Sequence, residues 1–247
     1  MKTRKLVTTS FLSAAFLLAN LASPASAETA FTDIPNNYAK DAIYQLVNLG
    51  IINGTGNGKF NPNGNITRQD FAIVLSRTLN LNTSTPPQTA TFKDVSSDSY
   101  AFAAVEAVYK AGLVSGTGNG KFAGTQPLTR EQIAVICVNA LGVDANGKGA
   151  SLGFTDSSSI SPWAKDYVAA ALEYKLMTGN PDGSFDPLAN ASRQQMALVT
   201  SKFIAKKAEL EQEQAEIPST NPEQEPVIEP EKPTQQPSTP VTYPTTS

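Results

Sequence analysis

The chain has 247 residues, 40% of them apolar, with a formal charge of −3, one cysteine and no histidine. Lacking histidine and a second thiol, it is without the commonest general base and metal ligand, which argues against zinc, serine or cysteine chemistry of the familiar kinds, and it can form no intramolecular disulfide, so stability must come from a packed core. The charge is unevenly spread: residues 28–207 hold 15 basic and 14 acidic side chains and residues 208–247 hold 8 acids and 1 base, a near-neutral body and an acidic tail with no basic stripe for nucleic acid.

In chain order, Lys2, Arg4 and Lys5 precede an apolar run from Phe11 to Leu21 that closes on Ala25-Ser26-Ala27. This predicts a secretory signal peptide over residues 1–27, too short to span a bilayer, with the mature chain starting at Glu28. No other stretch approaches the roughly 18–20 apolar residues of a membrane span, so no integral membrane segment is expected after cleavage.

The first folded segment, residues 31–81, opens at Phe31-Thr32-Asp33 and runs through Tyr38-Ala39 into an apolar stripe of Ala39, Ile43, Leu46 and Ile51 at helical spacing. Gly50 is a predicted C-terminal cap. A glycine-rich loop follows, Gly54-Thr55-Gly56-Asn57-Gly58-Lys59-Phe60, whose Asn-Gly pair favours a tight turn with positive φ and whose aromatic returns to the core. Thr67-Arg68-Gln69-Asp70 then starts a second helix close to the capping-box pattern, with Phe71, Val74, Leu75 and Leu79 as its apolar face.

The same events recur in the same order over residues 92–143 and 154–205. Phe92-Lys93-Asp94 and Phe154-Thr155-Asp156 restart the series, followed by Tyr100-Ala101 and Trp163-Ala164, the loops from Gly116 to Phe122 and from Gly179 to Phe185, and the helix starts Thr129-Arg130-Glu131-Gln132 and Ser192-Arg193-Gln194-Gln195. Gly112 matches Gly50 as a cap, whereas the third copy has Lys175 there and should end less comfortably. Cys137 stands where Leu75 does and is expected to be a buried small apolar residue. Each copy has one apolar stripe per helix and too little mass to bury both, so three copies should share one core in a mainly α, pseudo-three-fold domain. The linkers, roughly residues 82–91 and 144–153, are short and polar, as one compact body requires.

Phe-x-Asp, aromatic-Ala, a glycine-rich loop ending in an aromatic, and Thr-Arg (Ser-Arg in the third copy) before the last helix, in the same order three times, resemble the S-layer homology (SLH) domain family over residues 31–205. The resemblance implies a three-pronged helical spindle that binds a pyruvylated secondary cell-wall polysaccharide non-covalently and without a cofactor, at the wall or surface of a secreted protein. It implies that Arg68, Arg130 and Arg193 contact the ketal-pyruvate carboxylate. Asp33, Asp94 and Asp156, the aromatics Tyr38, Tyr100 and Trp163, and the glycines Gly54, Gly116 and Gly179 would shape the groove. Two of the three Trp positions are Tyr, and no copy keeps the complete Thr-Arg-Ala-Glu.

Three arginines at first turns of helices, where the macrodipole disfavours a cation, also point to anion binding by guanidinium and free backbone N–H groups. The plainer alternative is an arginine paired with an acid across a repeat boundary. For the aspartates, a cap or turn role is the stronger expectation. Gly54 to Lys59 lacks the Ser/Thr and helix of a phosphate loop, Asp182 and Asp186 lack the closing glutamate of a calcium loop, and no carboxylate pair recurs for glycoside hydrolysis. Residues 206–216 are expected to extend the last helix as a charged end, and residues 217–247, with a proline every three or four positions, to be a disordered spacer. A spacer joins two things, so rival roles are a surface-lattice protein, or the anchoring region of a larger glycan-active enzyme continuing beyond Ser247.

Overall fold

The computed structural model of the protein describes residues 31–216; the predicted leader 1–27 and the tail 217–247 lie outside the described residues. Two units divide after Lys207. The first carries all three copies, and the described part of the second is the end of the last helix, mostly exposed. Each copy contributes a short helix and a second, longer one: α1 (Lys40–Asn48) and α2 (Arg68–Thr78), α3 (Phe102–Lys110) and α4 (Arg130–Leu141), α5 (Lys165–Glu173) and α6 (Arg193–Glu216). Among the described residues there is no strand, only isolated bridges and two 3-10 turns, Lys148–Ser151 and Ser157–Ser159.

The stripes read from the sequence are the core. Ala39, Ile43 and Leu46, Ala101, Val105 and Val108, and Ala164, Val168 and Ala171 are all buried and belong to one continuous cluster with the faces of α2, α4 and α6. Phe60, Phe122 and Phe185 are fully buried and pack on Phe31, Phe92 and Phe154 with ring centroids 5.7, 5.2 and 5.3 Å apart. The three copies close on themselves through the residues before the second helices. Ile66 N–H donates to the Ala191 carbonyl (3.0 Å), Ala191 N–H to Leu128 (2.8 Å) and Leu128 N–H to Ile66 (3.1 Å), a ring of three backbone hydrogen bonds among buried side chains. That ring is the approximate three-fold centre.

The second helices start as the capping pattern requires. Thr129 and Gln132 form a full capping box, and Ser192 N–H donates to Gln195 Oε1 (2.9 Å) as Gln195 N–H returns to Ser192 Oγ (3.3 Å). Asp70 is one methylene too short to reach back, so its carboxylate accepts from the Thr67 hydroxyl instead (2.6 Å). The first helices end in Schellman turns, with Gly50 N–H on Val47 O and Ile51 N–H on Leu46 O. Lys175 makes the same turn at φ 58°, beside 68° and 72° for Gly50 and Gly112, and so holds a left-handed conformation that costs an L-residue about 1–2 kcal/mol. Lys175→Gly is expected to raise stability by up to about 1 kcal/mol once glycine's greater unfolded-state freedom is subtracted, measured by thermal unfolding. In the loops, Asn57-Gly58 and Asn119-Gly120 both have positive φ at each residue; in the third only Gly183 does, and Asp182 instead accepts from Ser184 N–H (2.9 Å) and Oγ (2.7 Å).

Cys137 is 1% exposed, and burial pushes its thiol up to about 12. It is expected to stay unmodified by a thiol reagent under native conditions at pH 8 and to react after denaturation, since the thiolate is the nucleophile.

Three grooves built from all three copies

Each groove arginine leaves the first turn of its helix and crosses into the loop of the next copy. Arg130 Nε–H donates to Phe185 O (2.7 Å) and Nη2 to Thr178 O (3.1 Å), and Arg193 likewise to Phe60 O (2.9 Å) and Asn53 O (2.8 Å). Arg68 keeps only the Nη2 bond, to Ser115 O (2.6 Å), and its buried Nε has no partner. All three guanidinium groups stack over the plug phenylalanine of that loop, 4.8 Å from Phe122 and Phe185 and 4.6 Å from Phe60, a cation–π contact. Desolvation lowers the pKa of all three arginines, far too little to discharge them. The cross-repeat partners are carbonyls rather than acids, and the ion pair Lys148–Glu173, at 2.6 Å, involves none of the three arginines.

The backbone N–H groups of the first turns are not available to an anion, which corrects the sequence expectation. Arg68, Arg130 and Arg193 N–H donate to Gln126, Ala189 and Gly64 carbonyls of the next copy at 2.9, 3.0 and 2.8 Å, and the following residues do so to Gly124, Pro187 and Pro62. The third N–H goes to the capping hydroxyl. What remains for a ligand is the guanidinium, with five donors of which the protein uses one or two.

Around each arginine lies a groove to which all three copies contribute. Arg193 of the third copy, Gly54 of the first and Tyr100 of the second line one cavity of about 260 Å³. Arg68, Gly116 and Trp163 line one of about 270 Å³, and Arg130, Gly179 and Tyr38 one of about 510 Å³. The aromatics are 62%, 69% and 54% exposed at Tyr38, Tyr100 and Trp163, an arrangement core packing does not require. Their backbone neighbours are held from the preceding copy: Glu131 accepts from Ser161 N–H (3.0 Å) and Oγ (2.8 Å), and Asn37 Nδ2 donates to Gln194 Oε1 (2.9 Å). Tyr100 is itself tied, its hydroxyl donating to Asp70 (2.8 Å) and accepting from Gln69.

The loop glycines are required by close approach rather than by φ. A Cβ on Gly116 would lie 2.7 Å from Lys121 O and 2.8 Å from the Phe92 ring, and Gly54 and Gly179 face Phe31 and Phe154 in the same way. The aspartates sit behind the loops and line no groove. Asp33 accepts from Phe60 and Asn61 N–H (both 2.8 Å), Asp94 from Phe122 (2.7 Å) and Ala123 (2.8 Å), and Asp156 from Phe185 and Asp186 (both 2.8 Å). They clamp the loop whose carbonyls hold the arginine. The sequence reading overlooked the groove-wall residues Asp70, Gln132 and Gln195, and Arg77, Asn139 and Lys202. Equal spacing after each arginine, two and nine residues on, is the signal that would have found them. A larger cavity of about 750 Å³ lies between the first linker and α3, lined by Pro86, Pro87 and Tyr109; no predicted site residue reaches it.

In this three-copy helical body an arginine, an aromatic and a loop glycine from three different copies converge in each open groove. The S-layer homology domain profile matches residues 30–72, 91–134 and 153–197, together more than half of the chain. The chain belongs to that family, and is thereby a cell-surface, wall-associated anchoring module. It is 36% identical over 72% of its length to an endoglucanase of Bacillus sp. (strain KSM-635) and 33% over 71% to an amylopullulanase of Thermoanaerobacterium thermosulfurigenes. To a surface-layer 125 kDa protein of Lysinibacillus sphaericus it is 34% identical over 68%. It spans only 19%, 10% and 14% of those relatives. Among the described residues no helix is long and apolar enough to cross a membrane.

Proposed function

We propose that the three grooves hold the protein on a pyruvylated secondary cell-wall polysaccharide, without covalent chemistry. The observation that supports this is the arginine in every groove: partly or wholly buried, unpaired with any carboxylate, and facing an exposed aromatic from another copy. Guanidinium grips a ketal carboxylate through parallel N–H donors, and Tyr38, Tyr100 or Trp163 offers a ring face to the sugar. Residues 1–27 serve as the leader, 31–81, 92–143 and 154–205 as the binding copies, 206–216 as a helical extension and 217–247 as a spacer. The chain should sediment with purified walls and lose most of that retention after mild acid removes the pyruvate ketals. Equal retention on both preparations would overturn the reading. Arg68→Ala is the most informative variant, because Arg68 makes one protein hydrogen bond where the others make two. Its loss should weaken retention with least effect on folding.

A further inference from the structure

Nine residues beyond each groove arginine, one turn-matched position of α2, α4 and α6 lines the groove of the preceding copy's arginine with three different side chains: Arg77 beside Arg193, Asn139 beside Arg68 and Lys202 beside Arg130. In the Arg193 groove the added cation shares the wall with the Asp70 carboxylate, and Arg77 Nη1 already donates to Ile51 O (3.2 Å). In the Arg68 groove Asn139 adds no charge, so the guanidinium is the only ion on its walls. The Arg130 groove alone adds a cation and no lining acid. Asp156 and Asp186 act on Arg130, but from behind the loop, where Asp156 holds Phe185 and Asp186 N–H and Asp186 accepts from Asn180 Nδ2 (2.7 Å). This groove is also about 510 Å³, against about 260 and 270 Å³ for the other two, so it has space for a second sugar. Two cations on one wall repel until a counter-charge sits between them.

We propose, resting on the wall-polysaccharide reading above, that the Arg130 groove is a two-anion site. Arg130 takes one acidic group of the polymer, and Lys202 takes a second acid, carboxylate or phosphodiester, on the adjoining sugar unit. The Arg68 groove is its one-anion counterpart, and Trp163, the only tryptophan of the chain, reports occupancy there.

The test titrates the full chain with three synthetic glycans: a hexopyranoside carrying a 4,6-pyruvate ketal, the same unit joined to a hexuronic acid, and the same unit bearing a phosphodiester. By calorimetry, at least one two-charge probe should bind the native chain about threefold to fivefold tighter than the single-charge probe, the worth of one added, partly exposed ion pair. Which probe gains identifies the second acid. Lys202→Gln should bring the ratio between probes to about one, and Asn139→Lys should create the same advantage in the Arg68 groove, read by Trp163 fluorescence. A native chain that does not distinguish the probes, or an advantage that survives Lys202→Gln, overturns the two-anion site while leaving the anchoring role intact. If no probe binds the native chain, the polysaccharide reading itself falls, and this one with it.

Discussion

A chain cut after Val143, keeping two of the three copies, is expected to show no cooperative thermal transition and no retention on cell walls, rather than two-thirds of either. The cut removes Ala191, which both accepts from Ile66 N–H and donates to Leu128 O in the central ring. It removes the Ala189 and Pro187 carbonyls that receive the first two N–H groups of α4, and the Phe185 and Thr178 carbonyls that hold Arg130. Each buried donor left without a partner costs about 1–3 kcal/mol, against a total stability of about 5–15 kcal/mol for a domain. The apolar face of α4, Ile133, Ile136 and Cys137 among it, is part of a core to which all three copies contribute and would be opened to water. Binding fails for a separate reason, since every groove takes its arginine, loop and aromatic from three different copies. Near-UV circular dichroism and wall sedimentation of the fragment are the measurements. A fragment that melts cooperatively and keeps a proportional share of binding would show the copies to be independent, against the ring.

This closure marks where sequence stopped being sufficient. Period and spacing read out the helices, the plug aromatics Phe60, Phe122 and Phe185, the buried Cys137 and the strained Lys175, because each follows from local chemistry repeated in register. Which copy meets which is a property of the closed ring and has no local signature. Arg68 belongs with Gly116 and Trp163, neither of which lies in its own copy. The same closure takes the first-turn amides that a single helix would leave free, so the anion reading of those N–H groups failed while the guanidinium remained. The arginine thus fastens one copy to the next and faces the groove at once, and replacing all three by alanine would mix loss of fold with loss of binding. The aspartates show the reverse case. Their short side chain before a helix suggested a turn former, and the structure gives that role a definite object, the backbone of the plug loop 27 to 30 residues further on.

That clamp carries the largest expected effect of any single substitution proposed for this chain. Asp94→Ala is expected to cost about 2–3 kcal/mol, since two N–H groups lose a charged acceptor and Phe122, fully buried beneath the loop, loses the bond that seats it. Asp94→Asn keeps one acceptor and should cost about half as much. The clamp is also titratable. Desolvation raises the Asp33 and Asp94 carboxyls, but the N–H groups they accept from, with Lys59 and Lys121 nearby, outweigh it and hold both below the ordinary 3.8. A carboxyl whose pKa is lower folded than unfolded stabilises the fold fully above the unfolded value and loses that contribution as pH falls through the folded one. Stability should therefore be nearly level from neutrality to about pH 5 and decline below about pH 4. Thermal unfolding of the native chain and of an Asp33→Asn, Asp94→Asn double variant across that range provides the check. The double variant should be less stable at neutral pH and show a shallower acid decline. An acid limb as steep as the native one would mean that other carboxylates, Asp182 among them, drive it, because that side chain too is held low by its bonds to Ser184.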